Sequence, residues 1–337
     1  MSSWQAAHRR AVRSLAAVAW SAVAGAAVCA ASGAALAQAF PAKPIRMIVP
    51  FPPGGSTDIF GRLAADALGR QLAVSVVVEN RAGAGGNIGS AIVAKAPNDG
   101  YTIAMFTVAQ SIAPSVFPKL EFDPVKDFSP ITLIARLPSI LLVHPSLPAR
   151  NVKELLALMQ KKPGALNYAS TGPGTSPHML MEMFLSMTGT RAVHVPYKGA
   201  GPALVDQLAG MVELGFTTGI GPSLDAARNG KLRAIAVSTA ERYEALPSVP
   251  TVAESGVKGF DGSSWQGVVA PAGVPKEIVS RLNAELAKWI RSPEGRERIA
   301  QQGGIPGGNS PEEFGRFIQD EIARWARVSR AANVRVD

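Results

Sequence analysis

Ser56, Thr57 and Asp58 sit directly behind two glycines in the run Pro52-Pro53-Gly54-Gly55-Ser56-Thr57-Asp58. Similar residue types return at Thr171-Gly172-Pro173-Gly174-Thr175-Ser176-Pro177-His178. Hydroxyls and main-chain amides gathered at such turns are suited to anion binding. Glycine, lacking Cβ, lets the backbone turn sharply and leaves N–H groups open to approach. A helix start adds several unpaired N–H donors and roughly half a positive elementary charge, enough to hold a small anion without Lys or Arg. Covalent chemistry fits these residues poorly. A serine-hydrolase elbow requires Gly-x-Ser-x-Gly, and Gly174-Thr175-Ser176-Pro177-His178 fails at its last position. His8, His144, His178 and His194 have no metal-ligand spacing, and there is no His-Glu-x-x-His.

Each turn needs a strand before it and a helix after it. Ile45 to Phe51 reads as a buried strand, and apolar residues at Ile59, Phe60, Leu63, Ala64, Ala67, Leu68 and Leu72 predict an amphipathic helix. Ser56 or Thr57 is placed to cap that helix, with Asp58 in its first turn. In the second unit, Leu166 to Ser170 reads as the strand and Pro177 as the first helical residue, followed by Leu180, Met183, Phe184 and Met187 at helical spacing. One such turn is an ordinary connection; two of the same design in one chain suggest the two halves of a ligand site.

The rest of the chain alternates strands with helices, which implies parallel sheets covered by helices on both faces. Val74 to Glu79 reads as a strand leading into the glycine-rich run Asn80 to Gly89 and a helix over Ser90 to Ala96. A dinucleotide fingerprint there would need glycine at position 88, which is Ile88, and no Walker Gly-Lys-Ser/Thr occurs. Tyr101 to Thr107 is the next strand, and Val108 to Ser111 reads as a loop at its carboxyl end, where open α/β sheets place ligands. Trp265 to Pro271 is a strand expected to return to the first domain.

Of the 337 residues, 47% are hydrophobic and 18% are charged, a globular composition, and the length favours two domains. The first 39 residues read as a secretory signal peptide: Arg9, Arg10 and Arg13, an apolar stretch from Leu15 to Ala31, and cleavage sites after Ala37 or Ala39. Those three arginines belong to the formal charge of +9, leaving +6 on the mature chain. The basic residues are scattered without an aromatic-basic cluster, so nucleic-acid binding is not expected. The single cysteine, Cys29, lies in the signal segment, so the mature chain has neither disulfides nor thiol chemistry.

Four runs occur together in order: Pro50-Phe51-Pro52-Pro53-Gly54-Gly55-Ser56-Thr57-Asp58, Asn80-Arg81-Ala82-Gly83-Ala84-Gly85-Gly86-Asn87-Ile88-Gly89, Val195-Pro196-Tyr197-Lys198-Gly199 and Trp265-Gln266-Gly267-Val268-Val269-Ala270-Pro271-Ala272-Gly273. As a set they resemble the periplasmic substrate-binding proteins of tripartite tricarboxylate transporters, the Bordetella uptake gene or Bug family, across essentially the whole mature chain. The resemblance implies an α/β, two-lobed periplasmic-binding-protein fold (Venus flytrap, type II-like), each lobe a mainly parallel sheet flanked by helices. Residues 40–138 with 262–337 would form lobe 1 and residues 139–261 lobe 2, the chain crossing near Leu137 to Ile140 and again near Gly259 to Trp265.

The same resemblance implies a monomeric, non-enzymatic, cofactor-free protein in the periplasm. It would hold a small carboxylate, amino acid or amide between its lobes and deliver it to inner-membrane transporter subunits. A ligand-sensing partner of a signalling receptor is the alternative. Carried over by position, the ligand-binding residues are Gly54, Gly55, Ser56, Thr57 and Asp58 in the first lobe and Thr171, Gly172, Gly174, Thr175, Ser176 and His178 in the second, with Tyr197 and Thr218 on rim loops. Two of these have structural readings beside the binding one: Asp58 as a helix-dipole partner or cap, and His178 as a solvated residue of a first turn. Tyr197 and Trp265 are placed either over the cleft or in packing.

Overall fold

In the computed structural model, residues 40–218 and 221–335 are described, so the expected signal peptide lies outside the described residues. β1 (Ile45–Val49) is buried at four of its five positions. The reason is its place between two parallel neighbours, β2 (Val76–Asn80) and β3 (Thr102–Thr107), in a sheet covered on both faces. β9 (Ser263–Pro271) runs antiparallel beside β3 and pairs on its other edge with β4 (Phe128–Val143). The main path of the first sheet therefore has the order β2-β1-β3-β9-β4, in which β9 runs against the other four.

The second sheet repeats this plan. β5 (Asn167–Ser170) lies parallel between β6 (Val193–Pro196) and β7 (Leu214–Thr218). The carboxyl-terminal part of β4 then runs antiparallel between β7 and β8 (Arg233–Val237). The order β6-β5-β7-β4-β8 matches the first sheet strand for strand, so each lobe receives one antiparallel strand from chain that has come from the other. β4 serves both sheets: it pairs with β9 up to Pro138 and with β7 from Ser139. From the sequence it reads as two apolar runs; it is one strand, with register shifts between Pro130 and Thr132 and between Leu133 and Ala135.

Helices cover the sheets. α1 (Ser56–Leu72) buries Phe60, Ala64, Leu68 and Leu72. A Cβ on its Gly61 would fall 2.8 Å from Val49 Cγ2, so glycine sets how closely helix and strand pack. α2 (Asn87–Ala94) follows a 3-10 turn over Ala84–Gly86. α3 (Val108–Val116) begins where a loop was expected. Its start is fixed by a capping box, Thr107 Oγ1 accepting from Ala109 N–H and Gln110 Oε1 accepting from Thr107 N–H. In the second lobe, α4 (Val152–Lys161) precedes β5, and α5 (Ser176–Thr188), α6 (Ala200–Leu208) and α7 (Gly221–Arg228) follow β5, β6 and β7 as α1, α2 and α3 follow β1, β2 and β3.

After β9 come α8 (Lys276–Arg291), α9 (Pro293–Gln301), the short β10 (Ile305–Pro306) and α10 (Pro311–Ala332). α10 starts in a Ser310/Glu313 capping box and packs against both lobes, touching α3, β4 and α5. Its buried Glu321 accepts from the indoles of Trp265 at 3.1 Å and Trp325 at 3.0 Å. Trp265 is thus a packing residue where the chain returns from the second lobe, fully buried and turned to α10.

Candidate functional site

The equivalent turns after β1 and β5 face each other between the lobes, and both are clasped in the same way. In the first, Gly54 adopts φ +82 and Gly55 caps α1 without a side chain. Gly54 N–H donates back to Asp58 Oδ2 at 3.0 Å. In the second, Gly172 at φ +133 and Gly174 at φ +70 bend the chain into α5. Gly174 N–H donates to His178 Nδ1 at 3.1 Å. Asp58 and His178 are each the third residue of their helix, reaching back four positions to hold the glycine.

Neither of these two residues lines the cavity. Asp58 is buried and already filled: Arg62 donates to it at 3.1 Å and Asn80 at 2.9 Å. Burial pushes its carboxyl up, but the hydrogen bonds from Arg62, Gly54 and Asn80 outweigh that, and it ends below the ordinary carboxylate value. His178 stacks on His194 with ring centroids 4.1 Å apart, and His194 Nε2 meets Ser170 Oγ at 2.6 Å. Ser170 Oγ in turn accepts from Gly172 N–H at 3.1 Å. Burial, assisted by His194, pushes His178 down to about 3, and burial pushes His194 down to about 4. Both rings are neutral at neutral pH and act as supports behind the second turn.

Between the turns lies a cavity of about 100 Å³. Gly55, Ser56 and Thr57 line it from the first lobe; Thr171, Thr175, Ser176 and Thr218 line it from the second. Gly54, Gly172 and Gly174 shape the turns from outside the lining, as Asp58 and His178 do. Tyr197 also lies off the wall, its hydroxyl donating to Asp206 at 2.8 Å. Its neighbour Lys198 lines the cavity instead and, among the described lining residues, carries the only charge.

Other lining residues had weaker signals. Thr107, Val108 and Ala109 enter from the first turn of α3, at the carboxyl end of β3 where the sequence places a ligand-side loop. Ser264 and Gln266 enter from β9, and their place beside α1 follows from a strand pairing that local sequence does not reveal. Gln266 Nε2 donates to Ser56 Oγ at 3.4 Å.

Two polar atoms in this lining are buried without a hydrogen-bond partner: Ser176 Oγ and Gln266 Oε1. Buried polar groups are ordinarily paired, so these two unpaired atoms set Ser176 and Gln266 apart from the other lining residues. Ser176 is not set up as a nucleophile, because the neighbouring His178 uses Nδ1 to accept from Gly174. Among the described residues no group of His, Cys, Asp and Glu could hold a metal ion. The arrangement offers helix N-termini and hydroxyls from two sides, one cation and apolar walls.

Residues 60–334 match the tripartite tricarboxylate transporter family receptor. The chain belongs to that family. It is 38% identical over 302 residues to Protein BugT of Bordetella pertussis, an overlap covering 89% of this chain and 92% of that protein. Among solved structures, Rhodopseudomonas palustris Rpa4515 with adipate superposes with a TM-score of 0.85 at 37% identity, covering 88% of this chain and 100% of that one. MatC of the same organism with bound malate gives a TM-score of 0.81 at 31% identity over 86% of this chain and 99% of that one. The family receptor fold is two-lobed, as the paired sheets require. Both of those relatives hold carboxylates.

Proposed function

We propose that this chain is an extracytoplasmic solute-binding protein that captures a small carboxylate between its lobes and delivers it to the membrane subunits of a tripartite tricarboxylate-type transporter. Residues 40–138 with 262–335 act as one lobe and 139–261 as the other. The first 39 residues direct export to the periplasm, and the mature protein works as a monomer. The observation that carries this reading is the meeting of two opposed helix N-termini on one small cavity, lined by Ser56 and Thr57 from one lobe and Thr175 and Ser176 from the other. An anion there accepts from amides of both lobes, and neither lobe alone supplies the full set. Such a ligand binds the closed arrangement better than the open one and shifts the hinge towards it. The membrane subunits then read closure as occupancy, and the protein performs no chemistry.

Thermal unfolding of the mature protein across a panel of small carboxylates and amides tests this. A ligand at a hundred times its Kd adds about 2.7 kcal/mol of stability, a readily measured rise in Tm. Gly55→Trp, which fills the mouth of the first turn, should remove the rise and leave the fold. No shift with any compound would count against capture of this class of solute.

A further inference from the structure

β4 leaves the first sheet and enters the second between Pro138, its last pair with β9, and Ser139, its first pair with β7. The returning chain passes the same level at Gly262 and Ser263, and Ser263 is the residue opposite Pro138. Ser238, directly after β8, is fully buried against both crossings. Its N–H donates to the Ser139 carbonyl at 2.8 Å, and its Oγ accepts from Ser139 N–H at 3.0 Å. The same Oγ donates to the Gly262 carbonyl at 2.5 Å, and Gly262 N–H donates to the Ser238 carbonyl at 2.9 Å. One residue thereby ties both crossings to the second sheet, its hydroxyl proton and a lone pair both in use.

Packing fastens Gly262 to the same side. A Cβ on it would stand 2.5 Å from Leu180 Cδ2, so α5 lies directly on its backbone. The next pair along is weaker: Pro138 has no N–H for either neighbouring strand. Two long side chains bridge the lobes beside this point, Arg324 donating to the Asp261 carbonyl and Tyr243 to the Gly303 carbonyl at 2.6 Å. A rotation is absorbed by a few residues at the ends of elements, and the pair without a full ladder is where it costs least. We infer that Ser238 is a positioning residue for closure: it fastens Ser139 and Gly262 to the second lobe, so that the lobes turn about the Pro138–Ser263 pair. Ser264, the residue after that pivot, lines the cavity, so the angle set there is felt at the site. This rests on the hinged, two-lobed reading above and fixes its pivot.

Spin labels and amide exchange test this without a ligand. The mature chain has no cysteine, so labels on Gln71→Cys and Lys153→Cys, exposed positions on α1 and α4, report one distance between the lobes. Ser238→Ala should broaden the distribution of that distance. Its Ser139 amide, left without the side-chain acceptor, should exchange about tenfold faster or more. Ser139→Ala is the control: that serine is equally buried, but its hydroxyl has no hydrogen-bond partner, so the distribution should match the wild type. Equal broadening in the two variants, or none in Ser238→Ala, overturns the inference. If the wild-type distance then shortens with a carboxylate that raises Tm, the hinged reading stands; if it does not, that reading falls as well. The wild type supplies a second check that needs no variant to fold. Its Ser139 and Gly262 amides should exchange as slowly as those of β8, and those of Ser263 and Ser264 about tenfold faster. The reverse order would put the pivot on the other side of Ser238 and overturn the inference.

Discussion

Gly85 of the first lobe lies so close to Pro173 of the second that a Cβ built on Gly85 would stand 2.8 Å from the Pro173 carbonyl oxygen. Two more glycines lie against the opposite lobe: Gly174 against Val116 and Phe117, and Gly199 against Pro52. The lobes meet at backbone distance around the cavity, so a small added group should hold them apart.

Gly85→Ala should weaken ligand binding by about tenfold, since the Pro173 carbonyl is backbone and the lobes must separate to admit the methyl group. Gly85 also has φ +66, so alanine carries a backbone cost of about 1–2 kcal/mol regardless of contacts. Gly164→Ala is the control: φ is +73 and nothing lies within 4 Å of its Cβ position. Both variants should lose stability, and only Gly85→Ala should lose affinity in calorimetry. Equal affinities in the two would show that this contact does not limit closure.

Ser176→Ala should cost about 1.5–3 kcal/mol of binding, tenfold to a hundredfold in Kd, by removing a hydroxyl that donates to an anion. Its effect on the ligand-free protein should be opposite in kind. The hydroxyl is buried and unpaired, so deleting it should leave Tm unchanged or slightly raised. A Tm loss without an affinity loss would make Ser176 a structural residue.

The stacked pair His178 and His194 should make the protein acid-sensitive above the range in which carboxylates titrate. Both imidazoles are held below their ordinary value of about 6.5, so the unfolded chain takes up protons first. Their contribution to stability is complete above pH ~6.5 and is lost as pH falls towards about 4 for His194 and about 3 for His178. His194→Gln should flatten the fall in Tm between pH 6.5 and 4. Parallel pH profiles for the two proteins would exclude the pair as the cause. Ligand affinity should hold over that range and fall only as pH approaches about 3, where a proton on His178 Nδ1 removes the acceptor of Gly174 N–H.

Lys198 is exposed, so its attraction for an anionic ligand is screened and small. Lys198→Met should raise Kd by about twofold to fivefold at low ionic strength, and by less as salt is added. A salt dependence of Kd that is unchanged in the variant would remove Lys198 from recognition.

The two glycine turns were legible in the sequence because everything that forms them is local: an apolar run, glycines, a hydroxyl and a periodic helix. The start of α3 is local as well, since Thr107 and Gln110 spell a capping box that makes a helix of the expected loop at Val108. Asp58 and His178 are polar, lie in the right turns and yet point back at Gly54 and Gly174, a choice that depends on Asn80, Arg62 and His194 closing around them. Gln266 could not be read as a lining residue. Its partner Ser56 is 210 positions away, and the contact exists only because β9 crosses back to pair with β3. The repeated sheet order was hidden for the same reason, being a property of pairings and not of residue types.

The central claim is that a small carboxylate is the molecule held between these turns. Mass spectrometry of small molecules retained by the protein after purification from the periplasm, without refolding, tests it most directly. A carboxylic acid should be released from the wild-type protein on denaturation and be missing from Gly55→Trp. Recovery of a cationic or uncharged compound from the wild type, or of the same acid in equal amount from the variant, would contradict it.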